Sequence, residues 1–395
     1  MAVELRPLGV RCNIACAYCY QQTQRGSVQP NRHYDMELMK SAVEREGGTF
    51  TLFGGEPLLL PMGDLEELWR WGLERYGENA VQTNGTLVRD EHIRMFKEYK
   101  VQVGISIDGP GELNSLRWAG SARATAKSTS RTEAAIERLC REGVPPTLIV
   151  TLHRVNASAE KLPRLLEWFG GLDRVGVTFA RAHILETESK SIRREYGLTE
   201  EENVAAFLAL ARLERSLGRL RFDVFRDMRA LLLGKDAKAT CIWTACDPYT
   251  TTSVRGVEGM GQRSNCGRTN KDGIDYVKAS ETGYERYVAL YNTPQDSGGC
   301  AGCRFFLMCK GQCPGTAMDG DWRNRTTDCE VWRRLLEFCE EELMVEGQAP
   351  ISTQLELRAR LEMSMVEAWS RNENPSIATL LERTTPKTPD GSTAR

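Results

Sequence analysis

Three cysteines stand close together near the start of the chain, Cys12, Cys16 and Cys19, in the run Arg-Cys-Asn-Ile-Ala-Cys-Ala-Tyr-Cys-Tyr. This CxxxCxxC spacing delivers three thiolates from one short loop. Soft sulfur donors suit zinc or iron–sulfur clusters, and three are one fewer than a closed tetrahedral zinc site or a fully ligated four-iron cluster needs. In a four-iron cluster, one iron is then left open to bind something else. A second series runs through Cys241, Cys246, Cys266, Cys300, Cys303, Cys309, Cys313, Cys329 and Cys339. Cys140 and Cys339 lie in amphipathic helical patterns and read as small buried hydrophobes. Removing them from the thirteen leaves three and eight, and eight thiolates fill two four-iron clusters.

The elements that must position these groups alternate in type. Strand-like stretches fall near 3–10, 49–53, 79–83, 101–107, 146–152 and 175–180, with helical patterns over 35–45, 64–76, 90–99, 131–142, 158–169 and 199–217. Alternation of this kind predicts an α/β fold with a parallel sheet, a partial (β/α)6 TIM-like barrel over residues 1–235. Chemistry in such barrels gathers at the C-terminal ends of the strands. Residues 236–345 form a Gly- and Cys-rich region with few apolar repeats, expected to need metal to fold. Residues 346–395 hold an amphipathic helix over 352–370 and a Thr/Pro/Ser tail expected to be mobile.

Composition narrows the class. Lys and Arg total 52 against 54 Asp and Glu, so no excess of positive charge suggests nucleic acid or an anionic membrane as partner. No signal peptide pattern and no run of 18 apolar residues occurs, and the expected location is the cytoplasm. There, thirteen cysteines are better metal ligands than disulfide partners.

The cysteine loop with Tyr18 before its last cysteine, Gly54-Gly55-Glu56-Pro57 after the second strand and Ser106-Ile107-Asp108-Gly109-Pro110 after the fourth together resemble the radical S-adenosylmethionine (SAM) superfamily. The later cysteines are similar to those of its members with a C-terminal SPASM domain. This resemblance spans residues 3 to about 340. It implies three [4Fe-4S] clusters and SAM as cofactors. Cys12, Cys16 and Cys19 would hold the first cluster. Cys241, Cys246, Cys266 and Cys313 would hold the second, and Cys300, Cys303, Cys309 and Cys329 the third. The open iron would chelate the amino and carboxylate groups of SAM, and the protein would place the resulting radical against one hydrogen. Tyr18, Gly54, Gly55, Glu56, Thr83, Asn84, Ser106, Asp108 and Arg181 are the expected SAM contacts, Glu56 toward the methionyl amine and Ser106 and Asp108 toward the ribose. Gln82, His153 and Arg181 are the expected catalytic residues facing substrate; Arg154 and His183 share their rim.

Departures narrow the implied activity. Gly267 follows Cys266, where the sulfatase-maturating branch carries a catalytic Asp. The strings from Cys246 to Gly259 and from Ser264 to Gly273, with Gly315 through Cys329, look like radical SAM peptide maturases acting on ribosomally made precursors with long, nitrogen-fixation-like leaders. The most similar are the spliceases, which excise a tyrosine-derived tyramine unit and leave an α-keto-β-amino acid. Cross-linking or epimerising maturases are the alternative within the class, and an iron–sulfur electron carrier or a zinc-stapled interaction protein the alternatives outside it. Expected partners are the precursor peptide, a low-potential electron donor of flavodoxin or ferredoxin type, and a separate leader-binding protein. The last follows from strand one beginning near residue 3, which leaves no room for a leader-binding domain before it, with the 352–370 helix as its docking face.

Overall fold

The computed structural model describes residues 3–22, 25, 33–187, 189–246, 254–264, 266–268 and 283–384. The tail from 385 on lies outside these, as does most of the first two strings similar to the spliceases. The chain divides into two compact units, Met1–Val224 with Val254–Val277, and Phe225–Ser253 with Lys278–Arg395.

In the first unit, strands β1 (Val3–Arg6), β2 (Phe50–Leu52), β3 (Asn79–Thr83), β4 (Val101–Ser106), β5 (Thr147–Leu152), β6 (Phe179–Ile184) and β7 (Arg221–Phe222) lie side by side in chain order, all parallel. Consecutive order is what right-handed βα winding of a barrel produces. Two further strands extend the sheet beyond β1: β8 (Arg255–Glu258), parallel to β1, and β9 (Arg263–Ser264), antiparallel to β8. The helices between the strands are α1 (Met36–Glu46), α2 (Met62–Tyr76), α3 (Asp90–Glu98), α4 (Ala122–Arg141) and α5 (Leu162–Val175). Asp35 caps α1, its carboxylate accepting the Glu37 and Leu38 N–H groups at 3.0 and 2.9 Å.

The sheet has two chemically different faces, because side chains alternate along a strand and the register keeps alternates together. Leu5, Leu52, Val81, Val103, Val150 and Ala182 point to the helix-covered side and are buried. Pairing Glu4 with Thr51, Gln82 with Gly104, Ser106 with Ile149, and Thr151 with His183 puts a polar row on the opposite face. A sheet that is apolar on one side and polar on the other places its chemistry on the polar side.

Three elements depart from the pattern read in the sequence. Helix α5 runs on to Val175 and is closed by Gly176 at φ +106°, so β6 begins at Phe179 rather than 175. That slip sets Arg181 in the middle of β6 and His183 near its end, instead of after it. Helix α4 begins nine residues before the expected 131, in a Ser/Thr-rich stretch of weak helix propensity. There the Thr125 and Thr129 hydroxyls bond back to the Ser121 and Thr125 carbonyls at 2.8 and 3.1 Å, and Thr132 ties the helix to the Asn84 carbonyl at 2.9 Å. Strand β8 is short and carries one large apolar residue, Val257, so no alternation marks it. Gly256 is required there, since a Cβ would lie 2.3 Å from the Ser264 hydroxyl.

The second unit has an aromatic core of its own. Trp243 meets Trp332 edge to face at 5.8 Å between ring centroids, and Trp369 packs on Tyr287 and Phe306 at 5.2 and 5.9 Å. Helices α6 (Glu285–Asn292), α7 (Cys329–Val345), α8 (Leu355–Ser370) and α9 (Ile377–Thr384) surround this aromatic centre. The expected docking helix is α8, and its apolar face is already used: Leu361, Met365, Ala368 and Trp369 are buried within the unit. Cys339 is buried in α7, as read from the sequence. Among the described residues no helix is long and apolar enough to cross a membrane.

One buried group sets a pH dependence. His92, in the first turn of α3, is buried, and its Nδ1 accepts the Arg89 N–H at 3.1 Å. Burial, reinforced by the Arg89 charge, lowers its pKa to about 4. The unfolded chain takes up a proton near the ordinary value of about 6.5, so this contribution is complete above that pH and is lost as pH falls toward 4. It amounts to about 3 kcal/mol. Urea titrations at pH 7 and pH 5 should show stability falling with acid, and less steeply in His92→Gln. An unchanged slope in the variant would return His92 to a bystander.

Candidate active site

The cysteine loop leaves β1 and lies along residues 114–118, to which it is tied by backbone bonds from Ala15 N–H to the Trp118 carbonyl at 2.6 Å and from Ala17 N–H to the Leu116 carbonyl at 2.8 Å. Within it, the Cys19 N–H donates to the Cys16 carbonyl at 3.1 Å. Arg25 closes the loop from outside, donating to the carbonyls of Val10 and Ile14 at 2.8 and 3.2 Å and reaching the Cys19 sulfur at 3.7 Å. The Asn84 amide lies 3.8 Å from the Cys12 sulfur and donates to Asn13 at 2.8 Å. Burial, partly opposed by Arg117 and reinforced by Cys19 and Cys12, pushes the Cys16 thiol up to about 12. A buried thiol such as Cys16 ionises far more readily when a bound cation offsets its charge, which fits a metal cluster.

The Gly54-Gly55-Glu56 turn braces that loop from the β2 side. A Cβ on Gly55 would lie 1.9 Å from the Arg11 carbonyl oxygen, and one on Gly54, whose φ is +111°, 2.4 Å from that of Gly9. The two glycines therefore admit the cysteine loop's own backbone, bonded through Gly55 N–H to Gly9 and Glu56 N–H to Arg11. Glu56 is fully enclosed. Its carboxylate accepts the Thr83 hydroxyl at 2.7 Å, the Asn84 N–H at 2.8 Å and the Leu58 N–H at 3.0 Å. Through these bonds Glu56 joins the β2 and β3 ends behind the cysteines.

Asp108 forms a second buried carboxylate group behind the loop. It is 0% exposed, its carboxylate meeting Arg117 at 3.1 Å, the Thr151 N–H at 3.0 Å, His153 Nε2 at 3.5 Å and the Tyr18 hydroxyl. Burial alone would raise its pKa, but Arg117, His153 and Tyr18 hold the carboxyl well below the usual range. Its oxygens join Arg117, Tyr18, His153 and the Thr151 N–H inside the protein. His153, expected at the substrate, is buried with it, 5.9 Å from the Tyr18 ring. Through Tyr18 this group anchors the cysteine loop from the β4 and β5 side. Arg117 gave no signal in the sequence, because nothing in its spacing from Asp108 marks two residues that meet only through a turn.

On the polar face, Gln82 Nε2 donates to the Ser106 hydroxyl at 2.9 Å, both half-buried. Arg181 has a side chain 45% exposed and reaches Asp223 at 4.0 Å. His183 lies between Arg181 and Arg268, and burial with those two charges lowers its pKa to about 3, so it is a neutral imidazole. Arg268 pairs with Glu186 at 3.1 Å. Arg154 reaches Glu202 at 3.8 Å. Nearer β1, Arg6 is buried between Glu4 at 2.6 Å and Glu258 at 3.3 Å, a network that β8 completes and that the strand reading missed.

The later cysteines are split by the two units. Cys266 belongs to the first; Cys241, Cys246, Cys300, Cys303, Cys309, Cys313 and Cys329 belong to the second. Among the described residues no three His, Cys, Asp or Glu side chains are drawn tightly enough to hold a single metal ion. Four thiolates of a four-iron cluster stand further apart, since the irons lie between them. Burial, then Cys303 and Cys329, push the Cys300 thiol up to about 12, and burial with Cys329, Cys300 and Cys303 pushes Cys309 well above its ordinary value. These four thiols thus share one buried neighbourhood. Beside them the Arg286 Nη1 is buried without a hydrogen-bond partner. Four thiols sharing a buried neighbourhood near a guanidinium that lacks an ion-pair partner among the described residues fit an anionic thiolate cluster.

Residues 7–167 match the model of the Radical SAM superfamily. A serine-type anaerobic sulfatase-maturating enzyme of Bacteroides thetaiotaomicron is 34% identical over 125 residues, covering 28% of this chain and 30% of that protein. A cysteine-type enzyme of Clostridium perfringens is 30% identical over 135 residues, covering 29% and 35%. A serine-type enzyme of Klebsiella aerogenes is 27% identical over 216 residues, half of each chain. The matched stretches span half or less of these relatives' lengths. The solved structure of native anSMEcpe with bound AdoMet and Kp18Cys peptide superposes with a TM-score of 0.68 at 20% identity, covering 87% of this chain and 98% of the other. At that identity the likeness is one of fold. The matched region, 7–167, runs from the cysteine loop through β5 and holds the Glu56 and Asp108 anchors. The chain carries a radical SAM domain, close in sequence to those of the anaerobic sulfatase-maturating enzymes.

Proposed function

We propose that this protein is a radical SAM peptide maturase whose substrate is a ribosomally made precursor. The observation that carries the reading is the triple-cysteine loop, held from two sides by buried carboxylates, Glu56 behind Cys12 and Asp108 behind Cys16 and Tyr18. Such bracing fixes three sulfur donors while leaving a fourth position to a ligand. The cluster and SAM supply, when bound, a carbon radical able to take one hydrogen atom from a peptide. The protein's own part is to hold the donors, and to present Gln82, Ser106 and Arg181 from the polar face, where Arg181 offers a fork of N–H donors to a carboxylate. Cys300, Cys303, Cys309 and Cys329 hold an auxiliary cluster in the second unit. An electron donor of flavodoxin or ferredoxin type and a separate leader-binding protein complete the proposed system. Since α8 packs its apolar face inside its own unit, that partner docks elsewhere.

Within this class, tyramine excision is the preferred reaction, supported by the strings around Cys246 and Cys266 and by Gly267 in place of a catalytic Asp. Co-expression with a candidate precursor, followed by mass spectrometry, tests it. Loss of a tyramine unit at a tyrosine is expected. Loss of two hydrogens would instead assign cross-linking, unchanged mass with a D-residue epimerisation, and an unmodified precursor with no SAM cleavage would overturn the reading.

A further inference from the structure

Two cations, Arg286 and Lys310, are buried in the unit that holds the thiols Cys300, Cys303, Cys309 and Cys329, and neither forms an ion pair among the described residues. Arg286, in α6, is 1% exposed; it donates from Nε to the Trp322 carbonyl at 2.6 Å and from Nη2 to that of Asn324 at 2.9 Å, and its Nη1 has no partner. Lys310 follows Cys309 and is 4% exposed, its Nζ donating to the carbonyls of Leu307 at 2.9 Å and Trp243 at 3.3 Å. Its backbone is left-handed at φ +51°, the first of three such residues with Gly311 and Gln312, a curl that turns the side chain's segment inward. The carboxylate whose charge reaches Lys310, Asp236, already accepts the Ile377 and Ala378 N–H groups at 2.8 and 3.3 Å. Among the described residues neither cation has an ion-pair partner. Charges buried without a counter-ion are among the costliest features a fold can carry, so an anion is expected near each.

We propose that Arg286 and Lys310 are the counter-charges of an anionic cluster held by these four cysteines, and that they raise its reduction potential. The inference rests on the reading that the four thiolates hold a cluster. Reduction adds one electron from a low-potential donor, breaks no bond and makes the cluster more negative. Fixed positive charges in a low-dielectric interior therefore favour the reduced state over the oxidised one. Arg325 and then Arg286 act electrostatically on Cys300, and Cys309 on Lys310, which directly follows it in the chain; of these cations Arg286 and Lys310 are the buried ones. They are positioning and tuning residues, not catalytic ones.

The test uses the full-length protein reconstituted with iron and sulfide, in the Cys12, Cys16 and Cys19→Ala background so that the first cluster is absent. Iron per chain and the midpoint potential of each remaining signal are measured by a redox titration followed by electron paramagnetic resonance, and Cys309→Ala identifies the signal of this set. Lys310→Gln keeps a donor for the two carbonyls and loses the charge. It should retain iron and shift the oxidised-to-reduced ratio at least tenfold at a given potential, about 59 mV more negative for one electron, while Lys310→Arg stays near wild type. Retained iron with an unchanged midpoint in Lys310→Gln overturns the inference and leaves the cluster standing. If Lys310→Gln loses iron, Arg286→Gln is compared with Arg286→Lys, and equal midpoints overturn it. A Cys309→Ala protein that loses neither iron nor a signal overturns the cluster itself.

Discussion

Replacing Cys12, Cys16 and Cys19 together by Ala is expected to abolish SAM cleavage and to remove about four irons, one cluster's worth, while the iron held in the second unit remains. The loop should survive the change. Its backbone is held by the bonds to Leu116 and Trp118, by the close approach of Gly54 and Gly55, and by Arg25, none of which uses a sulfur atom as its main partner. Loss of activity with retained folding would therefore report the cluster rather than collapse of the unit. Formation of 5′-deoxyadenosine under reducing conditions, iron analysis and far-ultraviolet circular dichroism are the measurements. Undiminished 5′-deoxyadenosine formation in the triple variant would refute the assignment of the loop.

The second large effect is expected at Asp108. Asp108→Asn removes the charge that faces Arg117, leaving a buried guanidinium uncompensated, and such a break costs roughly 3–5 kcal/mol. A residue that served only to bind a ribose hydroxyl would behave differently, with SAM affinity falling and stability unchanged. The double variant Asp108→Asn, Arg117→Met should recover part of the loss, because the orphaned charge is gone, and the coupling between the two positions is read from the double-mutant cycle. Additive effects of the two changes would mean that the buried pair is not what holds the Tyr18 side of the loop.

How much of the site was legible follows from the range over which its parts interact. The cysteine loop, the Gly-Gly-Glu turn and the Asp108 turn are each encoded in a few adjacent residues, and each falls after the strand expected to present it. That Glu56 and Asp108 brace the loop internally was not legible, since a carboxylate at a strand end has the same local sequence whether it faces a cofactor or an arginine. Arg181 was misplaced along β6 because the end of α5 is decided by Gly176, while apolar periodicity blurs over the last turn of a helix. The second unit's core was hidden because its aromatic residues, Trp243, Tyr287, Phe306, Trp332 and Trp369, are scattered over more than a hundred positions. No window of periodicity registers such a cluster.

By itself, the sequence determined the element types of the first unit, the parallel sheet and the triple-thiol loop, because hydrophobic period, capping residues and cysteine spacing act within one or two turns of chain. Only the tertiary structure decided that β8 returns from the cysteine-rich region to lie against β1, that Arg117 answers Asp108, and that Arg286 and Lys310 are buried without an ion pair among the described residues. Those outcomes depend on which buried charges meet across long separations in sequence. Coulomb forces in a low-dielectric interior read distance in space alone.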